Sequence, residues 1–165
     1  MTIKMKAGEL VLALEVLQKI VSEGRAMSVK GRYRVARMAL LLGPQAKVIT
    51  SQRDELIKKH GVELFEKEID GKKVEKVRQG DEDLVADGWQ PAGWKVLAAQ
   101  MPAFVKEWTE VCEDTIDDIT CQPIPLSSLE TPAALGAQEK QLPGLSEKEF
   151  ALLGPLVVDD EVVGA

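Results

Sequence analysis

The stretch Gly31 to Gly61, GRYRVARMALLLGPQAKVITSQRDELIKKHG, constrains the fold more than any other part of the chain. Val35, Leu42, Ile49 and Leu56 recur every seven residues, with Met38, Ala39 and Ala46 beside them. Side chains at this spacing share one side of a helix. A continuous helix over this stretch is about 45 Å long at the usual rise. Its apolar side cannot be buried against itself, so another element must lie along it. Gly43-Pro44 is a local conflict, because proline lacks a backbone donor and crowds the carbonyl four residues earlier. The helix either kinks and continues, or stops near Leu42 and restarts with Pro44 in its first turn. The seven-residue spacing from Leu42 to Ile49 favours a kink or a tight break.

The partner for that apolar side is upstream. Ala7 to Ser22, AGELVLALEVLQKIVS, places Leu10, Leu14, Leu17 and Val21 on one face, widened by Val11, Leu12 and Ile20. Gly24 ends this helix and Ser28 is a cap for an early start of the next. The short link between them predicts an antiparallel helix hairpin. Residues 1–6 alternate and read as an edge strand or a frayed end. Beyond Gly61 the pattern changes. Asp70-Gly71 is a turn signal between two predicted strands, roughly 63–69 and 72–78. Residues 80–93 read as a loop. Trp94 to Asp118 predicts a third helix with Trp94, Leu97, Met101, Val105, Trp108 and Cys112 on one face, interrupted at Pro102. Ile119 to Leu129, ITCQPIPLSSL, carries two prolines and predicts an extended arm on the surface. Residues 130–144 read as a linker. Ser146 and Glu149 stand in capping-box spacing before a short helix, and an acidic tail follows. The expected fold is mainly α with a small β-hairpin: a body over 1–120, and an arm, linker and short helix over 121–165.

Charge is unevenly distributed. The chain of 165 residues has a net charge of −6. Residues 1–62 carry 12 Lys or Arg against 5 Asp or Glu, and residues 63–165 carry 9 against 22. The halves are expected to attract each other or a repeating partner, and salt screens that attraction beyond about 10 Å. Aromatic residues make up 4 % of the chain, which points to an aliphatic, helix-rich core. Cys112 and Cys121 make no disulfide framework and are expected to be reduced. The chain shows no secretory signal and no uncharged apolar span of about 20 residues. A cytoplasmic location without membrane insertion is the expectation.

Few residues suggest chemistry. His60 is the single histidine and sits at a helix C-terminus, where a positive ring is favoured. A capping or surface role fits it better than catalysis. One histidine and two cysteines exclude a closed Cys/His zinc site. The acidic series Glu107, Glu110, Glu113, Asp114, Asp117 and Asp118 would bring Glu110, Asp114 and Asp117 to one side of a continuous helix, a pattern open to hard cations. No second carboxylate helix accompanies it, so a solvated or partner-binding face is the plainer reading. Arg25, Lys30, Arg32, Arg34 and Arg37 form a basic cluster at the first helix–helix turn. It could track phosphates, but it has no base-reading signature, and docking onto the chain's own acidic helix or another subunit fits better. No catalytic residue, metal site or cofactor is implied.

Ala7 to Val21, Lys30 to Ile57 with its KGRYRVAR start, and Leu145 to Val158 (LSEKEFALLGPLVV) together resemble small proteins of tailed bacteriophages and prophages of unassigned function. The resemblance covers most of the chain and brings no catalytic motif with it. It implies a phage setting and a small assembly or host-interaction protein. The leading expectation is thus a non-enzymatic protein that binds another protein, with self-association included. A nucleic-acid factor using residues 25–37, and a cation-binding protein or enzyme using residues 107–118, are the alternatives.

Overall fold

A computed structural model describes residues 2–24, 27–129 and 145–158. It is a mixed α/β structure with four α-helices and three small sheets among the described residues. The chain divides into two compact units, Met1–Ile49 with Cys112–Ala165, and Thr50–Val111.

In the first unit, strand β1 (Thr2–Lys6) alternates outward and inward, burying Ile3 and Met5. It pairs antiparallel with β5 (Thr115–Thr120), Ile3 opposite Ile119 and Met5 opposite Ile116. Helix α1 (Ala7–Ser22) follows without a loop. Glu9 accepts the Lys6 backbone N–H at 3.1 Å, and the Asp114 carbonyl accepts the Ala7 N–H at 2.8 Å. Two of the orphan donors at the helix start are thereby satisfied. Leu10, Ala13, Leu17 and Ile20 are fully buried, and Gly24 leaves the helix with φ +62°, a conformation glycine adopts without strain.

Helix α2 (Val29–His60) is a single element that runs through Pro44. Ser28 Oγ accepts the Gly31 N–H at 2.9 Å, which is the N-cap contact. Gly31, Val35, Met38, Leu42, Ala46 and Ile49 form the buried side. Pro44 and Leu40 are exposed, so the carbonyl deprived of its donor faces water. A proline on the solvent side of a long helix costs a hydrogen bond but no buried orphan acceptor, which is why the helix survives it.

The predicted surface arm is instead part of this unit's core. Ile119, Cys121, Ile124, Pro125, Ser128 and Leu129 are buried. Strand β6 (Ile124–Pro125) pairs in parallel with β7 (Val157–Val158). Helix α4 (Glu147–Leu153) packs on α1 and carries the capping box, with the Ser146 N–H donating to Glu149 at 2.9 Å and Ser146 Oγ accepting from the Glu149 N–H at 3.3 Å. The prolines leave backbone free to pair for two residues only, and apolar Ile124 fixes that segment inward.

In the second unit, β2 (Gly61–Ile69) is the central strand of an antiparallel sheet ordered β3-β2-β4, with β3 at Lys72–Val77 and β4 at Gln90–Val96. Asp70 and Gly71 both have positive φ, the geometry of a two-residue turn matched to strand twist. Phe65 and Leu84 are buried. The third helix is shorter than the pattern from Trp94 suggests. Trp94 lies on β4 opposite Glu63, and α3 spans Met101–Glu113 only. Pro91 and Gly93 disfavour a helix there, and pairing with β2 satisfies the backbone instead. Pro102 therefore sits in the first turn, where its missing donor costs nothing, and does not interrupt a helix. Cys112 is half-buried and no α3 residue is fully buried, so this helix does not carry the core face expected of it.

Candidate functional site

The first two-thirds of α2 presents a second face opposite its buried one. Positions 29, 33, 37, 40, 44 and 48 succeed one another by three or four residues, which aligns them on one side of a helix. Along it Val29 is 88 % exposed, Tyr33 66 %, Leu40 79 % and Val48 58 %, with Leu41 exposed beside them. Scattered exposed apolar residues are ordinary, whereas these four align on one face of a single helix. The row is set in positive charge. Residues 24–53 contain seven Lys or Arg and no Asp or Glu.

Part of that charge lines a groove of about 470 Å³. Lys30, Tyr33, Arg34, Arg37 and Leu41 of α2 form one wall, and residues 120–123 with Val158 form the other. Arg34 is fixed in place, its NH1 donating to buried Ser128 Oγ at 2.8 Å. The walls come close because Gly31 lets the 126–129 turn approach: a Cβ at Gly31 would lie 2.1 Å from the Ser128 carbonyl oxygen. Among the described residues, Lys30, Arg32 and Arg37 have no carboxylate in ion-pair reach.

Of the basic cluster read from the sequence, the groove thus gathers Lys30, Arg34 and Arg37. Arg32 is exposed outside it, and Arg25 lies outside the described residues. Several of the chain's acidic residues have partners within their own unit: Lys6 binds Glu113, Lys4 lies 3.5 Å from Asp117, and Lys59 Nζ donates to both Glu107 oxygens at 2.9 and 2.7 Å. Glu110, Asp114 and Asp117 do not share a helix side. Glu110 is exposed on α3, Asp114 follows the last helical residue and accepts the Thr115 N–H at 3.0 Å, and Asp117 is on β5. The helix ends because 115–120 pairs with β1. No group of three His, Cys, Asp or Glu among the described residues could hold a metal ion.

His60 is not a surface residue. Its side chain is 11 % exposed and its Nε2 lies 3.1 Å from Glu107 Oε1. The hydrogen bond from Lys59 holds the Glu107 carboxyl below the usual glutamate range against a smaller opposing effect of burial, and His60 acts in the same direction as Lys59. The Lys59–Glu107 ion pair and the adjoining His60 ring form a local contact network. Burial pushes both thiols, Cys112 and Cys121, up from the ordinary cysteine value, which lowers their thiolate fraction and reactivity.

The outward apolar row of α2 is the feature that sequence reading missed. Its signal was present in Val29, Tyr33, Leu40 and Val48, but a helix with apolar residues on two sides does not say which side the fold covers. No helix among the described residues is long and apolar enough to cross a membrane. The chain matches no protein-family model, no curated protein and no solved structure in the comparisons made.

Proposed function

We propose that this protein has a non-catalytic role and works by binding another protein through the outward face of α2. The observation that carries the reading is the row Val29, Tyr33, Leu40 and Val48, exposed on the side opposite buried Val35, Leu42 and Ile49. Burying one such side chain contributes about 1.5–3 kcal/mol, which together with the flanking charges works against an association cost of about 4–15 kcal/mol. The flanking charge argues for a partner other than a second copy. Packing this face on itself would set Arg37 and the exposed Lys30 and Arg32 near their own copies, with no carboxylate among residues 24–53 to offset them. A phage assembly or host-interaction setting for that complex is part of the proposal and rests on the sequence resemblance of 7–21, 30–57 and 145–158 alone.

The test is a photo-crosslinking residue placed at Leu40, with Lys72 on the β-hairpin as control, in the protein's native setting. A discrete protein adduct at position 40 and none at 72 is the expected result. Leu40→Asp should reduce affinity for the captured protein at least tenfold. Equal adducts at both positions, or unchanged affinity in Leu40→Asp, would sink the reading.

A further inference from the structure

We infer that the groove beside α2 is a carboxylate-binding site, and that its occupant is an extended acidic segment of the protein partner with apolar residues between its acids. The inference rests on the reading of α2 as a partner-binding face and names the chemistry of what binds there. Lys30, Arg34 and Arg37 stand at i, i+4 and i+7 on one side of the helix. Their successive rises along the axis are about 6 Å and 4.5 Å. Alternate residues of an extended peptide are about 6.6–6.8 Å apart. Asp or Glu at every second position of such a segment can therefore meet Lys30 and Arg34 in turn, with Arg37 within side-chain reach of the next.

Arg34 is already oriented by Ser128, so its remaining donors are presented at little further entropic cost. Lys30 and Arg37 have no carboxylate partner among the described residues, so a ligand displaces none of the described carboxylates. The intervening residues of the segment face Leu41, Pro123 and Val158, which line the same groove. That apolar share separates a peptide from a nucleic acid. A single strand needs stacking platforms, and the groove offers one aromatic ring, Tyr33.

The experiment measures fluorescence anisotropy of a labelled ten-residue peptide alternating Asp and Val, titrated with the full chain. A peptide alternating Lys and Val, and a ten-nucleotide thymidine strand, are the comparison probes. The acidic peptide should bind, more weakly as NaCl rises from low to high concentration, and the other two should bind at least tenfold more weakly. Lys30→Glu with Arg37→Glu should reduce peptide affinity at least tenfold, and Lys30→Gln with Arg37→Gln should reduce it by less. Both residues are exposed, so circular dichroism should show these variants folded. Arg34 is left intact because it holds the 126–129 turn. Absence of peptide binding, an affinity unchanged by the double reversal, or tighter binding of the thymidine strand would overturn the assignment. If the peptide fails while the Leu40 adduct persists, the carboxylate site falls and the α2 reading stands. If the Leu40 adduct is also lost, both fall.

Discussion

Gly31→Ala gives the sharpest test of how the first unit is built, because two physical arguments predict opposite signs. In a helix interior, glycine to alanine removes backbone freedom from the unfolded chain and is worth about 1 kcal/mol in favour of the variant. The structure says otherwise at this position. The new methyl carbon would stand 2.1 Å from the Ser128 carbonyl oxygen and 3.0 Å from its carbon, both backbone atoms that cannot rotate aside. Relief needs the 126–129 turn to retreat by about 0.9 Å or more, since Cβ contacts below 3.0 Å essentially never occur. Overpacking of this kind costs about 1–3 kcal/mol. The retreat also stretches the hydrogen bond from Arg34 to buried Ser128, and hydrogen bonds to charged groups contribute about 1.5–3 kcal/mol. These terms overlap, so their sum is an upper bound. Against the propensity gain, the net expectation is destabilisation of about 1–3 kcal/mol. Urea unfolding followed by circular dichroism reads this as a lowered midpoint at unchanged slope. A midpoint equal to or above that of the parent protein would refute the close approach of α2 to the 126–129 turn.

Three further outcomes follow from the same architecture. Leu42→Ala, at a fully buried site, should cost about 2–5 kcal/mol, whereas Leu40→Ala on the outward face should change stability by less than about 0.5 kcal/mol, both by urea unfolding; equal costs would mean that the two faces of α2 are not distinguished. Pro44→Ala should stabilise, by up to about 3 kcal/mol, because it restores a donor for the Leu40 carbonyl in a continuous helix; a loss of stability would place a real break at that point. The Glu107 carboxyl is held below its unfolded value, so its contribution is present above the ordinary glutamate pKa of about 4.3 and disappears as pH falls through the lower folded value. Glu107→Gln should therefore flatten the acid limb of the stability–pH profile, and an acid limb identical to the parent's would remove Lys59 as the cause.

The sequence-legible features are those whose causes are local. Helix α1 follows from Leu10, Leu14 and Leu17 at helical spacing and from Gly24 just beyond its end. The start of α2 follows from Ser28, whose hydroxyl reaches only the next turn. The same holds for Ser146 and Glu149, three residues apart on α4. The candidate site was half legible: Lys30, Arg34 and Arg37 are close in sequence because a helix carries them. Their groove was not, because its second wall comes from residues 120–123 and Val158, which reach α2 only through the packed core.

What the chain by itself determined is where helices can begin, which side of each is apolar enough to be buried, and where charge accumulates. Tertiary structure alone decided that 90–96 and 115–120 are strands, since each takes its backbone partner from a segment far away in sequence. It also decided that the proline-rich segment 119–129 is core, and that α2 leaves Leu40 and Val48 uncovered. The physical reason is the same in each case. Periodicity reports what a segment would gain by burial or pairing, and only the assembled chain determines which surfaces are there to supply it.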